Sequence, residues 1–179
     1  MAASPLRPAT DLLVQYAEYH RDRRNIASHF IGIPLIVLAI GVLLARVDLG
    51  PLNLAWLVWA LSALWYLTRG QFVAGLATVG VNGLLMALAQ PLAQGSTAAW
   101  LGWGLGLFVV GWVIQFVGHY WEGRKPAFVD DLVGLLVGPM FVVVEWLFAA
   151  GWGRELAAEI ERRAGPVRTG RVASSAAAR

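Results

Sequence analysis

Residues 31–47 read IGIPLIVLAIGVLLARV, a stretch in which Arg46 is the only charged side chain. Its length and composition are those of a membrane-spanning helix, which needs about 20 mostly apolar residues. The rest of the chain is similar, because 58% of its 179 residues are hydrophobic and only 14% are charged. A soluble domain of this size has too little interior to bury so much apolar surface. The composition therefore excludes a small soluble globule and indicates a protein solvated by lipid.

Further apolar stretches follow the first one. They are residues 52–67, 72–92, 98–118 and 132–152. Very short linkers join the first three stretches, so these must be antiparallel neighbours. The sequence predicts an all-α, polytopic transmembrane helical bundle of four to five spans. Residues 1–153 would form one membrane-embedded domain, and residues 154–179 an Arg-rich polar tail that is partly disordered.

A short amphipathic helix is predicted before the first span, at residues 10–24. Thr10 or Asp11 would be its N-cap. Its apolar residues fall on one face: Leu12, Leu13, Tyr16 and Tyr19. Because the opposite face is polar, we expect this helix to lie along the membrane interface.

Basic residues predict the orientation of the spans. Arginines precede the first span, and Arg124 and Lys125 follow the fourth, which places both regions in the cytoplasm. Five simple crossings would leave the basic tail outside. The last segment is interrupted by Gly138, Pro139 and Glu145, which favours a broken or re-entrant helix that returns inside over a fifth crossing.

The overall charge and the residue types exclude several functions. A net charge of +3 is too small and too dispersed to indicate nucleic-acid binding. The absence of cysteine excludes disulfides, thiolate metal sites and a cysteine nucleophile. Lys125 is the only lysine, and this strong preference for Arg indicates a GC-rich bacterial genome. We therefore expect an integral protein of the bacterial inner membrane, or of the endoplasmic reticulum if the source is eukaryotic.

The histidines of the chain, His20, His29 and His119, are predicted to reach the same, cytoplasmic, membrane face. His20 ends the interfacial helix, His29 opens the first span, and His119 closes the fourth span after an even number of crossings. On one straight helix His20 and His29 would point in opposite directions. The chain must therefore turn near residues 21–25 if both side chains reach one point.

Polar residues are spaced for a site around these histidines. Gln115, His119 and Glu122 share one helix face, and a His-x-x-Glu pair can direct an imidazole and a carboxylate at one metal ion. Tyr16 lies one helical turn before His20, as Asn25 does before His29. Each histidine alone is more often an ordinary interfacial residue, and Glu122 alone could pair with a nearby arginine.

Glu145 is a separate candidate, because a carboxylate inside an apolar segment costs about 2.5–3.5 kcal/mol to insert. It must therefore have a partner or line a cavity. Its role could be functional, or it could form an internal pair that only stabilises the structure. Three imidazoles and a carboxylate on one face suit a divalent metal with open positions. Iron and zinc are both compatible with this set, and a facial arrangement with vacant positions favours Fe(II) and O2 chemistry.

Three runs of sequence are similar to a known family. They are YAEYHRDRRNIASHFIGIP at residues 16–34, QFVGHYWEGRKPA at 115–127 and GPMFVVVE at 138–145. On these motifs the chain resembles the 2-hydroxy fatty acid dioxygenases, a family of small polytopic membrane proteins. The resemblance extends from about residue 16 to residue 152, and its histidine motifs are the specific part.

The resemblance implies an Fe(2+)-dependent alpha-oxidation. A 2-hydroxy fatty acid and O2 would give a fatty acid one carbon shorter, and residues 1–153 would be the catalytic domain. The expected iron ligands are His20, His29 and His119, with Glu122 or Glu145 as a further ligand or a neighbouring partner. Three other residues would orient the ligands or the substrate carboxylate: Tyr16, Asn25 and Gln115.

Two other classes of protein remain as alternatives, a non-catalytic membrane scaffold and a small transporter. A scaffold would need no metal, and a transporter would depend on Glu145 rather than on the histidines. The expected partners of the enzyme are the lipid bilayer, the hydroxy fatty acid and O2, and the sequence does not predict an oligomeric state.

Overall fold

The computed structural model describes residues 6–169, and within this range the chain is helical, with no β-strand. The all-α, polytopic bundle predicted from the sequence is confirmed. Its helices are α1 (Ala9–Ala17), α2 (Arg23–Leu44), α3 (Leu54–Leu67), α4 (Phe72–Ala93), α5 (Thr97–Glu122), α6 (Gly134–Ala149) and α7 (Arg154–Ala164), with a 3₁₀ turn at Ala127–Val129.

Three helices of the described range are long and apolar enough to cross a membrane, namely α2, α4 and α5. A fourth span results if α6 and α7, which meet at an angle of 119°, are counted together. The predicted span at residues 52–67 forms a helix of 14 residues. Such a helix is about 21 Å long, shorter than a bilayer core of about 30 Å. The structure therefore has three to four candidate spans, compared with four to five expected.

The antiparallel helices α2 and α5 form the centre of the bundle. Glycines allow their backbones to approach closely, because a Cβ added to Gly111 would lie 2.9 Å from the carbonyl oxygen of Gly32. A Cβ at Gly118 would collide with Ser28 and Asn25. This close contact brings the N-terminal end of α2 against the C-terminal end of α5.

Helix α1 differs from the predicted interfacial helix. It begins after Pro8, which makes no side-chain capping bond, so the predicted caps Thr10 and Asp11 are wrong. It ends at Ala17, because the chain turns over residues 18–22 before α2 begins. The carboxylate of Asp22 accepts a hydrogen bond from the Arg24 N–H (2.8 Å) and caps α2. The expected turn between the first two histidines is thus present.

The same helix is buried under the C-terminal part of the chain. Its residues on several faces belong to the hydrophobic core: Ala9, Leu12, Leu13, Val14, Tyr16 and Ala17. Residues Leu156 and Ile160 of α7 and Phe141 of α6 belong to the same core. The sequence shows the apolar face of this helix but not the elements that cover it, and its position along the membrane interface stays a prediction.

The segments on either side of α6 both contact the α1 region. Before α6, Asp130 accepts a hydrogen bond from Tyr19 (2.9 Å), and after it Arg163 of α7 pairs with Asp11 (2.9 Å). Both flanks of α6 therefore bind the α1 region, and the 119° bend between α6 and α7 fits a broken span as well as the re-entrant helix predicted from the sequence. Gly138 and Pro139 lie inside α6 and do not break it. The break comes at residues 150–153.

The predicted polar tail contains a helix in its first part. Residues 154–164 form α7, and the following residues run beside the turn that precedes α2, where Arg168 and Asp22 form an isolated parallel bridge. Residues 170–179, the last ten of the predicted tail, lie outside the described residues.

Candidate metal centre

The three predicted histidines meet at one point. The ring nitrogens that His20, His29 and His119 can offer to a metal all lie within 4.8 Å of one another, and the three residues are buried. Nε2 of His20 lies 2.9 Å from Nε2 of His29. The ring centroid of His119 is 5.0 Å from that of His20 and 5.1 Å from that of His29.

Backbone carbonyls set the tautomers of two of these rings. Nδ1 of His20 is 2.6 Å from the carbonyl oxygen of Tyr16, and Nδ1 of His29 is 2.8 Å from that of Asn25. Because a carbonyl oxygen only accepts, each Nδ1 carries the proton and each Nε2 presents a lone pair. Two lone pairs that face each other repel unless a cation lies between them. This orientation is typical of metal-binding histidines.

Burial keeps the imidazole of His20 neutral. His20 is fully buried, and this burial, together with the nearby His29, holds its pKa well below the ordinary value. A neutral imidazole is the form that binds a metal ion. The environment of His20 therefore suits a ligand.

Unpaired polar atoms surround the cluster. Among the described residues, Nδ1 of His119, Nε2 of Gln115 and Oδ1 of Asn25 are buried without a hydrogen-bond partner. Each such atom costs about 1–3 kcal/mol, so three of them in one place indicate that the site binds something. The donor set and these atoms fit a bound metal ion with further ligands.

Glu122 lies beside the histidine cluster and is not part of the group of ligand atoms. Its Oε2 accepts hydrogen bonds from the backbone N–H of Asp22 (2.7 Å) and from Nδ2 of Asn25 (3.1 Å). Its Oε1 pairs with Arg168 rather than with a nearer arginine in the sequence. The carboxylate thus links the end of α5 to the beginning of α2.

Glu145 is half-buried on α6 and also lies outside the histidine group. Its carboxylate interacts electrostatically with the guanidinium of Arg21. Burial lowers the pKa of Arg21, and the acidic neighbours Glu145 and Glu122 oppose this shift. The sequence required a partner or a cavity for Glu145, and Arg21 is the cation that interacts with its carboxylate.

The other predicted polar residues lie around the cluster. The ring of Tyr16 stacks on His20 with centroids 4.1 Å apart, and burial raises the pKa of its phenol. Asn25 supports His29 through its carbonyl and is held by Glu122. Gln115 packs against Gly32, where an added Cβ would lie 2.5 Å from Nε2.

An apolar cavity of about 200 Å³ opens from the cluster. His29, His119, Tyr16 and Gln115 line its polar end. The remaining lining is mostly apolar and comes from α2, α5, the 3₁₀ turn and α6: Ile33, Ile36, Val37, Ile40, Phe108, Trp112, Pro126, Ala127, Phe128, Gly134, Leu135, Gly138 and Pro139. Along α2 the lining extends over about 16 Å. Ile40 and Leu135, which also line the cavity, are 37% and 49% exposed, so the cavity reaches the surface of the bundle.

Two parts of the site were missed from the sequence. Gly138 was interpreted as a helix interruption, but an added Cβ there would lie 3.1 Å from the Tyr16 hydroxyl, so its small size leaves room for that ring. Arg168 was assigned to the tail, where no pattern of spacing connects it to residues near the histidines.

Comparisons with known proteins agree with this arrangement. A sequence model of the family described as 2-hydroxy-palmitic acid dioxygenase Mpo1-like matches residues 6–150. The 2-hydroxy-palmitic acid dioxygenase MPO1 of Saccharomyces cerevisiae is 33% identical over 149 residues, which cover 82% of this chain and 83% of the relative. No solved structure matches.

These matches confirm the resemblance seen in the histidine motifs. They identify the chain as an enzyme rather than a scaffold or a transporter. The chain belongs to the 2-hydroxy-palmitic acid dioxygenase Mpo1-like family.

Proposed function

We propose that this protein is an Fe(II)-dependent dioxygenase that converts 2-hydroxy fatty acids and O2 to fatty acids one carbon shorter. The observation that carries the proposal is the convergence of three buried imidazoles at the polar end of an apolar cavity. A hydroxy fatty acid has the same division, with a polar head and an apolar chain. The name of the yeast relative specifies a substrate of this class.

His20, His29 and His119 would hold the metal ion. Three imidazoles suit iron and zinc alike, and zinc has no redox chemistry, so the dioxygenase family favours iron. Bound Fe(II) would supply the redox chemistry that activates O2. We assign Glu122 to the support of Asn25 and Asp22, because its oxygens already accept hydrogen bonds from this part of the chain.

The reaction balances without a further reductant. It is R–CH(OH)–COOH + O2 → R–COOH + CO2 + H2O. The bond between C1 and C2 breaks, C1 leaves as CO2, and C2 becomes the new carboxyl carbon. The four electrons removed from the acid are those that O2 accepts, so a 2-oxoglutarate cosubstrate is not needed.

Residues of the site would hold the substrate in one orientation. Nε2 of Gln115 is a buried donor without a partner, beside His29 and His119, and would donate to the carboxylate or the hydroxyl of the acid. Tyr16 would keep the His20 ring in place by stacking. The acyl chain would follow the cavity toward Ile40, away from water.

The bilayer would supply the substrate. The arginines before α2 and the basic residues after α5 favour a site at the cytoplasmic face. The membrane would be the bacterial inner membrane or the endoplasmic reticulum. Cysteine labelling at the exposed Tyr120 position, beside His119, would report the side on which the site lies.

The proposal is tested with purified protein in lipid nanodiscs, loaded anaerobically with Fe(II). After addition of O2 and 2-hydroxypalmitate, mass spectrometry should detect the acid one carbon shorter. His119→Ala should abolish this product, and Tyr120→Ala, at the exposed neighbouring position, should not. If the metal binds but no shorter acid forms from any chain length, the dioxygenase is contradicted while the metal site stands.

A further inference from the structure

The residues that follow α7, Gly165–Arg168, form a strap across the turn before α2. The backbone N–H of Arg168 donates to the carbonyl oxygen of Arg21 (2.6 Å), and its carbonyl accepts from the N–H of Arg23 (3.1 Å). A guanidinium nitrogen of Arg21 donates to the carbonyl oxygen of Gly165 (2.8 Å). The strap lies beyond residue 150, where the family match ends, so this part of the site is not supplied by the family motifs.

The side chain of Arg168 reaches across to α5. Its guanidinium pairs with Oε1 of Glu122, whose side chain is only 1% exposed. The other oxygen of that carboxylate holds the N–H of Asp22 and the amide of Asn25. The buried charge of Glu122 is thus neutralised by a residue of the strap.

These contacts join the two elements that carry the histidines. The turn bound by the strap begins directly after His20, and Glu122 lies three residues after His119 on α5. Arg168 binds the turn through its backbone and α5 through its side chain. We propose that Arg168 is a positioning residue that holds His20 and His119 at the separation needed to bind the metal. This inference depends on the metal site of the proposed function.

The contribution of the side chain can be separated from folding. Without the guanidinium, the backbone pairing of the strap and the packing of α7 on α1 remain. The carboxylate of Glu122, however, would be buried without its cation, which is unfavourable. We expect the unpaired carboxylate to turn toward water and away from Asp22 and Asn25. The metal affinity should then fall about tenfold or more, as it does for other residues that support ligands.

The experiment measures Co(II) binding to the purified protein by anaerobic absorption titration, together with the thermal unfolding of the metal-free form. Arg168→Met should weaken Co(II) binding by about tenfold or more, measured well below its unfolding midpoint, which the buried and unpaired carboxylate of Glu122 should also lower. Arg168→Lys should restore part of the affinity, because it keeps the charge but not the planar fork. Arg162→Met is the matched control, since Arg162 lies on α7 and pairs with Glu159 away from the site.

A double variant tests the reason for the effect. Glu122→Gln combined with Arg168→Met should bind Co(II) more tightly than Arg168→Met alone, because the unpaired charge is gone and the amide oxygen can still accept from Asp22 and Asn25. Arg168→Gln replaces Arg168→Met if the latter does not fold. Unchanged Co(II) affinity in Arg168→Met overturns the inference, whether or not the unfolding midpoint of that variant falls. A wild-type protein that binds neither Co(II) nor Fe(II) contradicts the metal site itself.

Discussion

The histidine cluster has two sides that differ in their hydrogen bonding. Toward the beginning of α2, both oxygens of Glu122 have partners, and carbonyls hold the rings of His20 and His29. Oδ1 of Asn25 is the exception on this side, since it has no partner among the described residues. Toward the cavity, neither the side-chain donor Nε2 of Gln115 nor Nδ1 of His119 has a partner among those residues. Paired groups stabilise the fold, whereas an unpaired buried donor is retained at a cost. From this difference we expect the paired side to position the metal ligands and the cavity side to receive the substrate.

Removal of a metal ligand should have the largest effect, because it acts on both sides at once. We expect His29→Ala to lower metal affinity by more than about a hundredfold, beyond the range found for supporting residues, and to abolish the formation of the shorter acid. Equilibrium dialysis with Fe(II) and product analysis check this expectation. Tyr120→Ala, at an exposed position, is the control, and full Fe(II) occupancy of His29→Ala would contradict the ligand assignment.

On the paired side, Glu122→Ala should reduce the stability and, by about tenfold or more, the metal affinity. The substitution leaves the N–H of Asp22, the amide of Asn25 and the guanidinium of Arg168 without their acceptor. We expect a loss of about 3 kcal/mol, at the lower end of the range for broken buried pairs, because Arg168 is largely exposed. Denaturant unfolding in detergent measures it. A variant of wild-type stability that has lost its metal would instead indicate that Glu122 is a ligand.

On the cavity side, Gln115→Leu should affect substrate binding and leave the fold intact. The change removes a buried donor without a partner and preserves the approximate volume. We expect the KM for 2-hydroxypalmitate to rise about tenfold, which corresponds to one hydrogen bond to a charged group. The Fe(II) content should stay unchanged. If KM is unaltered, the amide does not contact the substrate.

The smallest expected effect concerns the far end of the cavity. Phe108→Ala should enlarge it and shift the preference several-fold toward longer acyl chains, since an apolar pocket discriminates weakly between chain lengths. The measurement is kcat/KM over a series of 2-hydroxy acids. Leu105→Ala, an exposed position of α5 outside the cavity lining, is the control, and an equal shift in both variants would exclude the cavity as the cause.

The convergence of the three histidines could be predicted from the sequence because helices and spans impose simple geometry. An even number of predicted crossings placed His29 and His119 on one face, and the distance along the chain from His20 to His29 required a turn between them. In the structure the antiparallel contact of α2 with α5 brings these ends together. The role of Glu122 could not be read in the same way. The spacing from His119 is equally suitable for a ligand and for a residue that binds the neighbouring helix.

The fold was less predictable where composition is ambiguous. Helix α7 is rich in Arg and Glu, and its buried residues, Leu156 and Ile160, are too few to indicate what they cover. The length of α3 is set by Asn53, which caps its first turn, and by the turn after Leu67. Apolar composition shows that a segment prefers lipid, but it does not show where its helix begins and ends.

The cavity runs along α2 from the histidines near one end of the bundle toward its apolar middle. A fatty acid in that leaflet of the bilayer has the same orientation, with its head near the surface and its chain toward the midplane. Under the proposed function, a substrate could therefore move into the site sideways at constant depth, without turning over or passing through water. The shortened acid, still an amphiphile, could return to the leaflet by the same path.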